Sequence, residues 1–237
     1  MAELKKLQNV LFDLDGTLVD SSKTILDSVF HALETLGVDP QSGPDVRTLI
    51  GMPLFDIFVG QYGMAGDRAQ LAIDHYREYY QQLNQAGTTV FEGVREGLAQ
   101  LQETGLRLFI ATVKPTPIAE KVLVDLGLRE HFAGVAGASM GPERRDKTSI
   151  IAYALEVFGL DSGYSVMVGD RDQDILGARA NGLSSLAVTY GFGHRNELDA
   201  ARPDHSADRF RDVSRILVDG GEPGGACKVE TATPADC

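Results

Sequence analysis

The amino-acid sequence predicts a doubly wound α/β fold: a parallel sheet flanked by helices, with an all-helical second domain inserted after the first strand. Three observations predict it. Apolar runs at 7–12, 106–111 and 165–168 each stop at or next to a polar residue, as strands buried on both faces of a parallel sheet do. Segments with helical spacing separate these runs, and strands alternating with helices imply right-handed crossovers. From about Ser21 to Ala86 the spacing is helical and no strand pattern occurs. The expected core is therefore residues 1–20 plus 87–219, the helical insert is 21–86, and 220–237 is a tail.

The elements follow in order. Leu7 to Phe12 is a strand that stops at Asp13. Ser21 or Ser22 is placed to cap a helix in which Ile25, Leu26, Val29, Phe30, Leu33 and Leu36 share a face and Gly37 is the stop. A loop with two prolines covers 39–45, and Leu49 to Pro53 breaks two short helices. Asp67 opens a longer helix with Leu71, Ile73, Tyr76, Tyr80 and Leu83 on its apolar side. After Gly87, a helix carries Val94, Leu98 and Leu101, and the strand Leu106 to Ala111 ends at Thr112. Ile118 to Leu126 is helical, Phe132 to Ala136 is a weaker strand, and Ile150 to Phe158 is helical. The strand Ser165 to Val168 ends at Gly169-Asp170, the helix Ile175 to Ala180 follows, and Leu186 to Val188 is a further strand. The glycine-rich tail from Gly220 lacks apolar pattern and is expected to be disordered.

Composition narrows the function. Of 237 residues, 43% are hydrophobic and 24% charged, ordinary for a globular protein that needs no covalent staples. Cys227 and Cys237 are the only cysteines and sit in the tail, so a disulfide framework is excluded and a cytoplasmic location is expected. A net charge of −12 opposes binding to nucleic acid polymers and anionic membranes. The N-terminus lacks the apolar run of a signal peptide, and no stretch approaches the roughly 20 apolar residues of a membrane span. A small anionic partner remains compatible with this charge, provided the site reverses the sign locally.

In an open parallel sheet, ligands bind beyond the carboxyl ends of the strands. The first such end carries Asp13 and Asp15, the second Thr112 and Lys114, and the third Asp170, with Asp174 a turn later. Lys147 precedes the helix between the second and third. Four carboxylates at one edge require a cation. Magnesium takes oxygen ligands, usually one or two carboxylates with waters and a phosphate oxygen. Asp13 and Asp170 are the expected ligands, completed by the Asp15 backbone carbonyl, while Asp174 either ligates or orients a bound water or Lys147. The five histidines show no paired spacing, which argues against zinc. A carboxylate nucleophile needs no activating base, which suits Asp13. Asp15 can protonate the leaving oxygen and then activate water. Gly16 permits a sharp turn. Thr17 and Thr112 can donate to phosphate oxygens, Lys114 is placed to contact phosphate or substrate, and Lys147 opposes the developing negative charge.

These residues resemble the haloacid dehalogenase superfamily in order and spacing over roughly residues 7–218. The first motif appears as Phe12-Asp13-Leu14-Asp15-Gly16-Thr17-Leu18-Val19-Asp20, the second as Thr112, the third as Lys147, and the fourth as Gly169-Asp170-Arg171-Asp172-Gln173-Asp174. The resemblance implies a Rossmann-like core with a helical cap, Asp13 as nucleophile, Asp15 as acid/base, Thr112 and Lys147 on phosphate, and Asp13, Asp15 and Asp170 on magnesium. Within the superfamily, Ile50-Gly51-Met52-Pro53-Leu54 is similar to the cap loop of the phosphoglycolate phosphatase group. Ala111-Thr112-Val113-Lys114-Pro115 and Tyr190-Gly191-Phe192-Gly193 look like a bacterial 5′-nucleotidase branch. Val113 stands where that pattern has a small polar residue, so a phosphate contact there would come from its backbone. Asp15 argues against the dehalogenases, which lack it. The resemblance thus implies a phosphatase acting on a small phosphorylated metabolite, a nucleoside 5′-monophosphate, with 2-phosphoglycolate as the alternative substrate and a phosphomutase or a regulatory protein as further readings.

Overall fold

Six parallel strands form the central sheet in the order β5-β4-β1-β6-β7-β8. They are β1 (Asn9–Phe12), β4 (Arg107–Pro115), β5 (Gly134–Ala138), β6 (Ser165–Gly169), β7 (Ser184–Val188) and β8 (His205–Ala207). The structure is a computed structural model, and it describes residues 7–45, 49–50, 52–83, 86–139 and 143–219. β1 pairs with β4 on one side and β6 on the other, so all four of its residues are buried. The strand order reverses at β1, which opens a crevice beyond its carboxyl end.

Alternate residues of β1 feed two cores. Val10 and Phe12 pack with Leu98, Val122 and Phe210, from helices α3 (Val94–Glu103), α4 (Thr116–Asp125) and α8 (Phe210–Asp219). Leu11 packs with Phe109, Ile151 and Ala178, the last two from α5 (Lys147–Phe158) and α6 (Asp172–Ala180). A short helix, α7 (Arg195–Ala201), adds Leu198 and Ala201 to a smaller cluster.

Between β1 and β4 the chain forms a helical unit. Helix α1 (Ser22–Thr35) packs on α2 (Gly66–Gln82), and a single wide π-type turn, Asp56–Gln61, lies between them in sequence. Ile25, Val29, Leu33, Phe58, Tyr76 and Tyr80 give this unit an apolar cluster of its own, against which the core residues Ile118 and Phe192 pack. At its root, β2 (Val19–Asp20) and β3 (Thr89–Val90) pair as a two-residue antiparallel ladder. No helix among the described residues is long and apolar enough to cross a membrane.

Several local expectations differ from the structure. Leu71 is 47% exposed, and α2 instead turns Ala69, Ala72, Ile73, Tyr76 and Tyr80 inward. Tyr79 stacks on His31, with ring centroids 4.0 Å apart. Ser21 occupies the position before α1 without capping it. β4 runs on to Pro115, with a register shift against β5 between Thr112 and Pro115. The tail from Gly220 and the loop residue Gly51 lie outside the described residues.

Candidate active site

Asp13 follows β1 directly, and its backbone N–H still donates to the Val168 carbonyl of β6 at 2.9 Å. Its side chain is therefore fixed at the carboxyl edge of the sheet. Asp13 Oδ1 accepts the Leu14 N–H at 2.7 Å and pairs with Lys147 Nζ at 3.0 Å. Gly16 then turns the chain with φ of 84°, and a Cβ on it would lie 2.2 Å from Asp170 Oδ2. Only glycine satisfies both conditions. The turn carries Thr17 against Asp170, to which its hydroxyl donates at 3.1 Å.

Asp170 ends the β6 segment and is fully buried. Its Oδ2 accepts the Phe192 N–H at 2.8 Å. Asp174, in the first turn of α6, accepts the Arg171 N–H at 3.0 Å and pairs with Lys147 Nζ at 2.7 Å. Gly169 permits this approach, because a Cβ there would fall 2.2 Å from the Asp174 carboxyl. Lys147, the first residue of α5, also donates to the Ala111 carbonyl at 3.0 Å. One buried ammonium thus serves two carboxylates and a strand-end carbonyl.

Oxygens of Asp13, Asp170 and Asp174 lie within 4.8 Å of one another, and all three residues are buried. Burial, reinforced by Asp13 and Asp174, pushes the Asp170 carboxyl up to about 8. Burial also raises Asp174, to about 6, although Lys147 pulls in the opposite direction. For Lys147, burial works against the charge, but Asp13 and Asp174 outweigh it and raise its pKa. Three carboxylates share one lysine, so the cluster lacks positive charge. Hard oxygen donors in that state suit a divalent cation.

Asp15 stands apart from this trio. Ser21 Oγ donates to its Oδ1 at 2.5 Å, and Lys114 Nζ pairs with its Oδ2 at 2.7 Å. Lys114 reaches further, to Tyr80 Oη of α2 at 3.1 Å, while its backbone N–H donates to Thr112 Oγ1 at 3.2 Å. Burial opposes the Lys114 charge, but Asp15 first and then the two tyrosines more than offset it and raise the pKa. A second bridge to the helical unit comes from Arg171, which pairs with Glu197 at 2.9 Å and donates to the Ile50 carbonyl at 2.5 Å.

A cavity of about 280 Å³ lies between core and insert. Asp13, Asp15, Thr112, Val113, Lys114 and Asp170 line its floor, and Met52, Leu54, Phe55, Ile73, Tyr76 and Tyr80 are among its insert residues. Arg77 also faces it and has no hydrogen-bond or ion-pair partner among the described residues.

The expected residues converge, though not all in the expected state. Lys147 and Asp174 lie behind the floor, joined to it through Asp13. Thr17 differs from expectation: it is fully buried and its hydroxyl serves Asp170 rather than facing the cavity. Gly16 likewise packs on Asp170 and does not line the cavity. The Lys114 ammonium is engaged by Asp15 and Tyr80 instead of standing open to a phosphate. Ser21, Tyr80 and the Phe192 N–H are additional members. Gly191 and Gly193, which flank Phe192, hint at a close backbone approach; nothing local in the sequence marks the other two.

Known proteins resemble this chain over most of its length. The family model for haloacid dehalogenase-like hydrolases matches residues 10–188. A 5′-nucleotidase of Pseudomonas aeruginosa is 38% identical over 209 residues, spanning 88% of this chain and 95% of that protein. A phosphoglycolate phosphatase of Pectobacterium atrosepticum is 30% identical over 92% of this chain and 95% of its own length. The tyrosine-protein kinase PtkA of Mycobacterium tuberculosis is 36% identical over 81% of this chain, which spans only 65% of that protein. A solved structure of a predicted phosphatase from Clostridium acetobutylicum superposes with a TM-score of 0.84 at 32% identity, covering 91% of this chain and 100% of that one. With a carboxylate-rich strand edge under a helical roof, and with the 5′-nucleotidase and the phosphoglycolate phosphatase each matched over 95% of their length, the chain belongs to the haloacid dehalogenase-like hydrolases and is a phosphoric monoester hydrolase.

Proposed function

We propose that this phosphatase hydrolyses nucleoside 5′-monophosphates in the cytoplasm, through a phosphoaspartate on Asp13, with residues 21–86 acting as a cap over the site. The observation that carries the substrate reading is the cavity itself. Its floor is polar and charged, and its roof is mostly apolar and aromatic, interrupted by Gln70 and Arg77. Its volume of about 280 Å³ is near the lower end of the ~300–1,000 Å³ of pockets that enclose drug-sized ligands. A two-carbon acid such as 2-phosphoglycolate would leave most of that roof uncovered. One observation favours it nonetheless: the unpartnered Arg77 suits a carboxylate.

Asp13 Oδ1 is held by Leu14 and Lys147, while Oδ2 has no protein partner among the described residues. In this reading Oδ2, left unengaged, is the attacking oxygen. As its bond to phosphorus forms, the ester P–O bond breaks and Asp15 gives its proton to the leaving oxygen. Water then attacks phosphorus, Asp15 takes the water proton, and the Asp13–phosphorus bond breaks to release phosphate. Thr112 and the Val113 backbone, both at the cavity, would hold phosphate oxygens, and Lys147 would supply fixed charge beneath them. Asp13, Asp170 and the Asp15 backbone carbonyl would hold magnesium, with Asp174 beside or behind them. When bound, the ion neutralises charge on the phosphoryl group and on the carboxylates.

Phosphate release from a panel of nucleoside 5′-monophosphates, ribose 5-phosphate and 2-phosphoglycolate tests both parts. The expected result is the highest kcat/KM with a nucleotide and loss of turnover on chelation. A preference for 2-phosphoglycolate overturns the substrate reading alone. Full activity in chelator overturns the metal reading.

Stability should depend on pH in the metal-free protein. The folded pKa of Asp170, about 8, lies above the ordinary value of ~3.9. A raised carboxyl contributes stability that is complete below the unfolded pKa and is lost as pH rises through the folded one. Thermal melting in chelator is expected to fall as pH rises from about 4 to about 8, and magnesium should flatten that fall. A metal-free melting temperature independent of pH over this window would count against the charge-starved cluster.

A further inference from the structure

The Lys114 side chain joins the two parts of the molecule at a buried point. Its ammonium lies 2.7 Å from Asp15 Oδ2 and 3.1 Å from Tyr80 Oη. Lys114 is 9% exposed and Tyr80 3%, so the contact is largely shielded from bulk water. Tyr76 stacks on Tyr80 with centroids 5.7 Å apart and planes 25° from parallel, which fixes the ring. The other oxygen of Asp15 is held by Ser21, the residue before α1. Asp15 is thus gripped through both legs of the insert: directly from the start of α1, and through Lys114 from the last turn of α2. Apolar packing alone would be met by phenylalanine at position 80. The hydroxyl is the feature that packing leaves unexplained.

We propose that Tyr80 is a positioning residue: through Lys114 it sets where the Asp15 carboxylate stands, so that proton transfer is organised only while the insert is seated on the core. This inference rests on the reading of Asp15 as proton donor to the leaving oxygen. It goes further by giving the insert a part in the chemistry beyond covering the substrate.

Leaving-group chemistry separates positioning from packing. An alkyl phosphate expels an alcohol and needs the proton, whereas p-nitrophenyl phosphate expels a stable anion and does not. Single-turnover release of the leaving group is measured for the wild type, Tyr80→Phe and Asp15→Asn. The two esters are p-nitrophenyl phosphate and whichever alkyl phosphate the wild type cleaves fastest. Positioned acid catalysis is worth about 10²–10⁴-fold, so partial misplacement in Tyr80→Phe is expected to slow the alkyl ester about tenfold and the aryl ester by less than about twofold. Tyr80→Phe should add nothing in a Lys114→Met background, since residues acting through one another are not additive. If Asp15→Asn shows no split between the esters, Asp15 is not the donor and the underlying reading falls. If Asp15→Asn shows the split but Tyr80→Phe slows both esters equally, or neither, the inference about Tyr80 is overturned alone.

Discussion

Asp13→Asn is expected to abolish turnover, by about 10⁴-fold or more, since loss of a nucleophile in comparable covalent mechanisms reaches about 10⁶. The amide has nearly the shape of the carboxylate but cannot form a stable ester with phosphorus. It also removes one of the two carboxylates that pair with Lys147. The same substitution should leave the metal-free fold at least as stable as the wild type. Asp13 is one of the groups that push the Asp170 carboxyl upward, so its neutralisation relieves repulsion in a buried cluster. Activity lost while melting temperature holds or rises is the signature of a site kept under electrostatic strain for its chemistry. Phosphate release and thermal melting in chelator read the two halves, with Asp13→Ala as a control for amide hydrolysis. Wild-type activity in both variants would sink the mechanism.

The second large effect concerns Lys147. Its side chain is wholly inaccessible and neutralises Asp13 and Asp174 at 3.0 and 2.7 Å. Lys147→Met keeps most of the stem but strands two carboxylates beside a third. Removing one partner of a buried ion pair costs about 3–5 kcal/mol, and a loss of that order is expected in chemical denaturation of the metal-free protein. Magnesium should recover part of it, because a divalent ion replaces the missing charge, while activity stays low for want of the lysine beneath the phosphate. A variant as stable as wild type in chelator would mean that the cluster is not charge-starved.

Much of this arrangement is legible in the sequence, for identifiable reasons. β1, β4 and β6 are buried on both faces, so their apolar runs are continuous and stop close to where the functional residues begin, at Asp13, Thr112 and Asp170. The glycine after Asp15 is legible because a tight turn demands it. Two-residue β2 and β3 carry no periodicity and escape detection. Helix α8 lies beyond the last predicted strand, although Phe210, Val213 and Leu217 have helical spacing. What the pattern cannot carry is the pairing of side chains. Thr17 and Lys114 are residue types that suit a phosphate, yet the fold gives them to Asp170 and Asp15. Leu71 shows the same limit in the insert: propensity marks an apolar residue, but the docking of α2 on α1 decides which face turns inward.

The small ladder at the root of the insert has an evolutionary consequence. Asp20 and Thr89 are strand partners, so the chain leaves the core and returns to it at one place. A segment attached in this way can be lengthened, shortened or exchanged as a cassette with little loop-closure cost to the sheet. New substrate ranges could then arise by grafting a different roof onto an unchanged floor. The exchange would not be free, however. A foreign roof would discard Tyr80, and a displaced junction would lose Ser21, so the transplanted enzyme would begin with a loosely held Asp15. Chimeras of this architecture should therefore bind new esters before they hydrolyse them well, and the first improving mutations should restore a hydroxyl opposite Lys114.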